Sequence, residues 1–390
     1  MSSRGAPVNP LQLEGLLPCP HLPPCPACPR FGERGITGAA KGALDELARA
    51  HGLPDVEVVS GLNSGFRLRA RLAIRGRLGS PKIGLFELGT HRVVHIPNCR
   101  VQHPLINRVA SVVRRALVEA RVSCYSDKAH TGVARYLQVV VERASQSAQV
   151  VIVAHSAAAE PLAESFALIR ERLGGDLHSL WFNSNLGHTN TIMGPAFEQL
   201  CGPQSVIESF GGASVHYPPG AFGQSNLDIA QRIIEYVRER IPEGARVAEF
   251  YAGVGAIGLS TLDRASEIRL NEVSPHSLQG LALGIESLAP ADRAKVSVVA
   301  GPAATALEAA DRSQIVIVDP PRKGLDLELA AYLREHPPDR LLYVSCALPS
   351  LLEDIARLTS AGAMRLAELT AFNLMPFTEH VETVAMLERR

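Results

Sequence analysis

Apolar residues in the C-terminal half of the chain occur in short runs, separated by segments with helical spacing. Five runs are predicted to be strands, at 246–251, 267–272, 296–300, 314–318 and 341–345. Helices are predicted between most of these strands and at 227–240, just before the first. Alternating strands and helices predict a doubly wound, Rossmann-like α/β domain with a largely parallel sheet, which we place at 217–390.

The pattern before residue 217 is more mixed. Strands are predicted at 67–74, 93–96, 136–141 and 150–154, and helices at 40–50, 104–121 and 161–173. This mixture predicts a central α+β domain, which we place at 36–216. The first 35 residues are rich in proline and cysteine and are predicted to form a separate segment, 1–35, without regular structure.

The composition is that of an ordinary globular protein. The chain has 390 residues, of which 46% are hydrophobic and 20% are charged. No apolar run is long enough to cross a bilayer, and the N-terminus lacks the apolar core of a signal peptide. We therefore expect a cytoplasmic protein without a membrane partner, and a monomer.

Positive charge is concentrated in the first third of the chain. The formal net charge is zero, but residues 1–130 hold 18 Lys and Arg against nine Asp and Glu. Five arginines recur at even spacing, namely Arg67, Arg69, Arg71, Arg75 and Arg77. Side chains two apart on a strand share a face, so these arginines predict a stripe that binds nucleic-acid phosphates. The alternative is a solvated sheet face.

A glycine motif follows the first strand of the predicted α/β domain. Gly253 and Gly255 begin a G-x-G-x-x-G sequence that is predicted to open a helix. Glycines there let the backbone approach a ligand closely. Glu272 ends the next strand, 19 residues after Gly253, where an acid can bind two ribose hydroxyls. The motif alone fits NAD, S-adenosylmethionine or a purely structural turn.

Two further strand ends carry candidate catalytic groups. The strand 314–318 runs into Asp319-Pro320-Pro321, a stiff acidic loop that could hold a flat base against a methyl donor. Such a loop would also suit methylation of the adenine amino group. Cys346 lies at the end of the strand 341–345, just before a predicted helix whose backbone N–H groups could stabilise a thiolate. Alternatively, Cys346 is an unreactive thiol that packs in the core like a small hydrophobic residue.

A thiol in that position favours a pyrimidine carbon as the methyl acceptor. C5 of uracil becomes nucleophilic only after a thiolate adds to C6, and a base must later remove the C5 proton. Glu382 is a candidate base because its apolar strand pattern would bury the carboxyl group and raise its pKa. Glu379 and His380 are competing candidates.

The N-terminal segment contains a cysteine cluster. Cys19, Cys25 and Cys28 lie close together, which in a cytoplasmic protein indicates metal binding more than disulfides. A fourth ligand is required, and Cys99 in a proline-bounded loop is the best candidate. The spacing does not separate zinc from an iron–sulfur cluster, and unligated thiols are the alternative.

Three motifs together resemble the RNA uridine C5-methyltransferase family. They are Asp319-Pro320-Pro321-Arg322-x-Gly324, Tyr343-Val344-Ser345-Cys346 and His380-Val381-Glu382. The resemblance implies that Cys346 is the nucleophile, that Glu382 is the general base, and that Arg322 and Asp319 hold the base edge and cofactor. It also implies that the S-adenosylmethionine pocket is lined by Gln224, Tyr251, Glu272 and Asp319.

The same resemblance extends to the cofactors and the substrate. It implies a 4Fe–4S cluster, with zinc less favoured, at the four cysteines. It also implies RNA as the partner, with 23S ribosomal RNA preferred to transfer RNA. The small N-terminal β-barrel that members often carry is expected to be absent, so the central domain should grip the RNA.

The chain departs from the family pattern at two places. Ala347-Leu348 stands where members usually have Asn-Pro, and the loop 249–256 lacks a polar residue of the usual pattern. Two alternatives therefore stay open. One is a small-molecule or amino-group methyltransferase in which Cys346 is incidental, and the other is a non-catalytic iron–sulfur RNA-binding protein.

Overall fold

The computed structural model describes residues 18–189 and 191–390. The first 17 residues of the predicted segment 1–35 therefore lie outside the described part. The strands are β1 (Glu57–Val59), β2 (Arg69–Arg77), β3 (Ser80–Phe86), β4 (Val93–His95), β5 (Ala134–Val141), β6 (Ala148–Ala154), β7 (Leu177–Ser184), β8 (Ala196–Cys201), β9 (Val206–Phe210), β10 (Ala213–Tyr217), β11 (Ala245–Phe250), β12 (Ala265–Glu272), β13 (Val296–Ala300), β14 (Ile315–Val318), β15 (Arg340–Ser345), β16 (Met364–Phe372) and β17 (Glu382–Arg389).

The helices lie between these strands. They are α1 (Gly38–Ala50), α2 (Pro104–Glu119), α3 (Ala163–Leu173), α4 (Leu227–Glu239), α5 (Pro275–Glu286), α6 (Pro290–Arg293), α7 (Glu308–Asp311), α8 (Leu327–Glu335) and α9 (Leu348–Thr359). The helix α4 shows why the sequence folds as it does. Asn226 caps its first turn by accepting a hydrogen bond from the Ile229 N–H at 3.4 Å, and its apolar face is buried in the core.

The larger sheet confirms the predicted doubly wound domain. Its strand order is β1-β16-β17-β15-β14-β11-β12-β13. Neighbouring strands are parallel except β17, which is antiparallel to both β15 and β16. The order reverses between β11 and β14, where the carboxyl ends of parallel strands open a crevice for ligands.

The helix predicted after the glycine motif is absent from this stretch, which forms a single 3₁₀ turn at Gly258–Thr261. Gly253 and Gly255 adopt left-handed conformations with φ of +59° and +81°, which are incompatible with a continuous α-helix. The Thr261 hydroxyl also donates to the Gly258 carbonyl at 2.7 Å. Such a local side-chain bond competes with regular helix formation.

The central sheet has seven strands in the order β4-β3-β2-β5-β6-β7-β8. Its apolar face packs against α2 and α3 in one buried cluster. The alternation within β2 follows the prediction, because Leu72 and Ile74 belong to this cluster and the flanking Arg71 and Arg75 alternate with them toward the other face.

The predicted domain boundaries at 36 and 216 do not match the packing. Strand β1 pairs with β16 of the larger sheet, and Leu44 of α1 is buried in the same apolar cluster as Tyr343 of β15. Residues of β9 and β10 pack with α4. These long-range pairings join both ends of the predicted central domain to the larger sheet, and a local pattern cannot show such pairings. In the part of the chain that the structure describes, no helix is long and apolar enough to span a bilayer.

Candidate active site

Three predicted site residues meet at the carboxyl edge of the larger sheet. Asp319 follows β14 and Cys346 follows β15, which is the neighbouring parallel strand. The antiparallel pairing of β15 with β17 joins Ser345 to Thr383. Cys346 and Glu382 come next beyond that pair, so they lie opposite each other at one end of the two strands.

Cys346 borders a cavity of about 390 Å³, which lies within the usual range for small-ligand sites. Its walls come from the start of α9, from the loop after β14, from the loop before β17 and from α1. They comprise Ala39, Ala40, Arg322, Cys346, Ala347, Leu348, Pro349, Glu379, His380 and Val381. Ala347 and Leu348, where the chain departs from the family pattern, are therefore part of the cavity wall.

The surroundings of Cys346 favour the neutral thiol. Burial raises the pKa of the thiol, and the charges of Glu382 and Asp319 raise it further. The Arg322 guanidinium and the backbone N–H of Cys346 act in the opposite direction but are outweighed. The buried Glu382 and the half-buried Asp319 therefore oppose the stabilisation of a thiolate that the helix N-terminus was expected to provide.

Glu382 has the environment that its apolar strand predicted. It is 5% exposed, and burial raises the pKa of its carboxyl well above the usual value, with a further rise from the charge of Asp319. Its Oε1 has no hydrogen-bond partner among the described residues. Burial also raises the pKa of Asp319 to about 7. Groups with pKa values near neutrality are suited to proton transfer.

The competing candidates stand at the rim of the cavity. Glu379 and His380 are both exposed, and the His380 Nε2 lies 3.3 Å from Nη2 of Arg322. Partial burial of the ring and the Arg322 charge lower the pKa of His380. Neither side chain has the enclosure of Glu382, so the geometry favours Glu382 as the base.

The glycine motif and Glu272 meet at the ends of β11 and β12. One carboxylate oxygen of Glu272 accepts a hydrogen bond from the Gly253 N–H at 2.7 Å. The other accepts from the Val273 and Ser274 N–H groups at 2.8 and 2.6 Å. A Cβ built on Gly253 would meet no atom within 4 Å, so this stretch of backbone borders open space. The arrangement fits the close approach of a nucleoside.

Tyr251 and Gln224, the other two predicted cofactor residues, lie in different loops. Tyr251 has a φ of +61°, and its hydroxyl donates to Asp326 at 3.1 Å, so the hydroxyl is engaged within the protein. Gln224 lies in the partly exposed loop between β10 and α4. The Ser225 carbonyl in that loop accepts from the Leu68 N–H at 2.7 Å, which anchors the loop beside the central sheet.

Glu249 is a buried acid whose environment the sequence reading missed. Burial raises the pKa of its carboxyl to about 8, and the Gly258 N–H, which donates to it at 2.8 Å, lowers this pKa only partly. The sequence contained a signal of this burial, because Glu249 is an acid within the apolar strand predicted at 246–251. By accepting the hydrogen bond from Gly258, the Glu249 side chain stabilises the turn that follows the glycine motif.

The comparisons with known proteins place these residues in a family. A model described as tRNA (Uracil-5-)-methyltransferase matches residues 305–390, which include Asp319, Cys346 and Glu382. An uncharacterized RNA methyltransferase of Protochlamydia amoebophila is 34% identical over 385 residues, covering 96% of this chain and 98% of the relative. The chain belongs to the RNA uridine C5-methyltransferase family.

Other proteins agree with this assignment. An uncharacterized RNA methyltransferase of Geobacter sulfurreducens is 28% identical over 356 residues, covering 88% of this chain and 71% of the relative. The crystal structure of Pyrococcus abyssi tRNA (uracil-54, C5)-methyltransferase with S-adenosyl-L-homocysteine has a TM-score of 0.73 at 24% identity. The match covers 90% of this chain and 83% of the Pyrococcus abyssi chain, and it shows that the two chains share a fold. The prediction of an S-adenosylmethionine-dependent RNA uridine C5-methyltransferase is confirmed at the level of the family.

The arginine stripe of this uridine C5-methyltransferase is interrupted. Arg75 is 6% exposed and forms an ion pair with Asp127 at 2.7 Å. The Nη1 of Arg69 donates to the Ala221 carbonyl at 2.9 Å, under the loop that leads to α4. Arg71 and Arg77 are exposed. The expectation of five arginines available on one open face is therefore corrected to two exposed side chains on β2.

Arg67 lies before β2 and close to the cysteines. Its Nη2 lies 3.8 Å from the Met375 sulfur, and burial lowers the pKa of its guanidinium while Cys28 and Cys99 raise it. Its side chain therefore faces the interior between two loops. This position separates it from the exposed arginines of β2.

The four cysteines of the predicted cluster approach one another. Burial raises the pKa of Cys28 to about 12, and charges on Cys99, Cys25 and Cys19 raise it as well. The backbone N–H of Cys99 donates to the Asn107 side chain at 3.3 Å, which fixes that loop. All four are free thiols. Among residues 18–189 and 191–390, no three His, Cys, Asp or Glu side chains are arranged to hold a metal ion.

Proposed function

We propose that this uridine C5-methyltransferase acts through a covalent adduct between Cys346 and C6 of a uridine in RNA. The observation that carries the proposal is the pairing of β15 with β17, which sets Cys346 opposite a buried carboxyl group at Glu382. A purely structural cysteine has no need of two neighbouring carboxyl groups that raise its pKa. An amino-group methyltransferase has no need of the thiol.

In the proposed reaction, the target base leaves its stack and enters the cavity beside Cys346. The Cys346 sulfur forms a bond to C6 as the thiol proton passes to the Asp319 carboxylate beside it. Arg322 at the rim stabilises the negative charge that then develops on the base. When bound, S-adenosylmethionine supplies the methyl group that C5 takes up.

The second half of the reaction restores the thiol. Once its proton has moved on to solvent, the Glu382 carboxylate removes the C5 proton, and the electron pair of that C–H bond re-forms the C5–C6 double bond. The bond between C6 and sulfur breaks in the same step, and the thiolate leaves. The raised pKa of Glu382 makes its carboxylate a stronger proton acceptor than an ordinary one.

The cofactor residues fit S-adenosylmethionine. The open space beside Gly253 and the Glu272 carboxylate at the end of β12 stand where a nucleoside would bind. We propose that Gly253, Gly255 and Glu272 bind the nucleoside part. Gln224, Tyr251 and Asp319 would line the rest of the pocket, with the Asp319 carboxyl nearest to Cys346.

We propose that Cys19, Cys25, Cys28 and Cys99 hold a 4Fe–4S cluster, with zinc as the alternative. Four thiols are the donor set that such clusters take, and Arg67 beside Cys28 and Cys99 would offset their negative charge. Because no three His, Cys, Asp or Glu side chains among the described residues are arranged to hold a metal ion, binding of the cluster would require the thiols to move closer together. Iron, zinc and acid-labile sulfide analysis of protein purified without oxygen decides between them, and absence of all three contradicts the proposal.

The preferred substrate is 23S ribosomal RNA, and the family model's description makes transfer RNA the second candidate. The direct test is to map 5-methyluridine in both RNAs from cells with and without this protein. We expect one mark in 23S ribosomal RNA to disappear. Loss of a transfer-RNA mark would replace the substrate, and loss of no mark would contradict the proposed function.

A further inference from the structure

The loop that carries the cavity wall has no regular secondary structure. Residues 373–381 connect β16 to β17 without strand or helix. Glu379, His380 and Val381 of this loop line the cavity, and Glu382 follows at once. A loop without strand pairing relies on side-chain contacts for its position, so the contacts on its outer side bear on the site.

Arg30 holds this loop from the cysteine segment. Its backbone N–H donates to the Phe377 carbonyl at 3.1 Å, and its Nη1 donates to the Thr378 carbonyl at 3.2 Å. The Arg30 side chain is 13% exposed and also forms an ion pair with Glu33 at 2.8 Å. One residue thus satisfies two carbonyls of a loop that is more than 340 positions away in sequence.

Phe31 makes a second contact with the same loop. The ring centroids of Phe31 and Phe377 are 5.0 Å apart at an angle of 46°, a favourable tilted arrangement. Phe377 is 1% exposed and has a φ of +67°, which is rare for an aromatic residue and persists only when the surroundings hold it. Cys28 belongs to the same small apolar cluster.

We infer that Arg30 and Phe31 are positioning residues for proton removal, because they hold the loop 373–381 from which Glu382 enters the site. The inference rests on the proposed function, since it concerns the same reaction. Cys346 does not depend on this contact. It is held between β15 and α9, and both elements lie outside the cysteine segment.

The inference predicts a separation between two steps of the reaction. Uracil that carries fluorine at C5 can accept the thiol and the methyl group, but it has no C5 proton to lose. The adduct therefore accumulates, and its rate of formation reports on Cys346 without the final step. Normal RNA reports on the whole cycle, including removal of the proton by Glu382.

The test compares Phe31→Ala and Arg30→Ala with two matched controls. Phe31→Leu keeps an apolar side chain against Phe377, and Arg34→Ala removes an exposed arginine of the same segment. At saturating RNA, we expect the two test variants to turn over normal RNA at least tenfold more slowly, on the order of a misplaced base. Their rate of adduct formation on 5-fluorouridine RNA should stay within about twofold of the wild type.

The outcomes separate this inference from the proposed function. Unchanged turnover in Phe31→Ala and Arg30→Ala would overturn the inference, and so would an equal loss of turnover and adduct formation, which indicates general damage. Turnover in Phe31→Leu and Arg34→Ala should remain close to that of the wild type. If the wild type methylates uridine but forms no adduct, the covalent mechanism fails. The positioning role then stands only if the test variants lose turnover at unchanged binding of S-adenosylhomocysteine.

Discussion

At the scale of single residues, the site depends on carboxyl groups that the fold has buried. Glu382 is buried and Asp319 is half-buried, and burial raises the pKa of each. Burying carboxyl groups costs free energy, and both of these groups lie next to Cys346, where the proposed reaction removes a proton and passes it on. Their placement is difficult to explain by stability, because an unpaired buried carboxyl group destabilises the folded chain.

Glu382→Gln tests the general base. The amide keeps the shape of the side chain but cannot accept a proton, so we expect turnover to fall by about 10²–10⁴-fold. Turnover of the wild type should rise with pH, since deprotonation of Glu382 activates the base and its pKa lies well above 4.5. Glu379→Gln, at the exposed rim, is the control. A variant Glu382→Gln with normal turnover would remove Glu382 from the mechanism.

Glu249→Gln tests the link between burial and stability. The folded chain holds the Glu249 proton up to a pKa of about 8, whereas the ordinary value is 4.5. The folded state therefore binds more protons in this range, and the free energy of unfolding must decrease as pH rises through it. Glutamine can still accept from the Gly258 N–H but does not titrate. We expect a flatter pH dependence of urea unfolding in Glu249→Gln than in the wild type or in exposed Glu353→Gln.

At the scale of elements, most strands and helices followed from the periodicity of apolar residues. The strands that end at Asp319 and Cys346 were predicted because each is a short apolar run before a polar or proline-rich loop. The turn after Gly253 was predicted as a helix because glycine spacing does not reveal φ. The pairing of β17 with β15, which brings Glu382 to Cys346, depends on contacts across the sheet that no local pattern encodes.

The arginines of β2 show the same limit. Even spacing put them on one face, but accessibility depends on what covers the face. Asp127 and the aromatic rings of Phe86, Tyr125 and Tyr136 enclose the Arg75 guanidinium. Asp127 lies 52 positions away in the sequence, so nothing near Arg75 indicated an ion pair.

Arg75→Ala and Arg77→Ala should therefore have different effects. Loss of Arg75 leaves Asp127 without its partner and removes packing against aromatic rings, so we expect a loss of about 3 kcal/mol in the free energy of unfolding. Loss of exposed Arg77 should leave unfolding within about 0.5 kcal/mol of the wild type. Loss of Arg77 should also weaken RNA binding. The slope of the logarithm of the binding constant against the logarithm of salt concentration should become shallower by about one. Urea unfolding and RNA titration at several salt concentrations measure both, and equal stability losses would contradict this division.

At the scale of the whole molecule, the chain is interleaved. Helix α1 packs against the larger sheet and strand β1 is part of it, although both precede the central-sheet strands in the sequence. After the central sheet, the chain continues into β11 to β17 of the larger sheet. This path brings the cysteine segment against the loop 373–381. Residues from both ends of the sequence thus share one site, which explains why linear boundaries at 36 and 216 did not match the packing.

The central claim is that Cys346 forms the bond to the RNA base. The most direct measurement incubates the full chain with S-adenosylmethionine and 5-fluorouridine RNA, then identifies the cross-linked peptide by mass spectrometry. We predict a stable adduct on Cys346, none in Cys346→Ser, and an unchanged amount in Cys201→Ser, which removes a partly buried thiol of β8. An adduct that survives in Cys346→Ser, or its absence in a wild type that methylates uridine, would contradict the account.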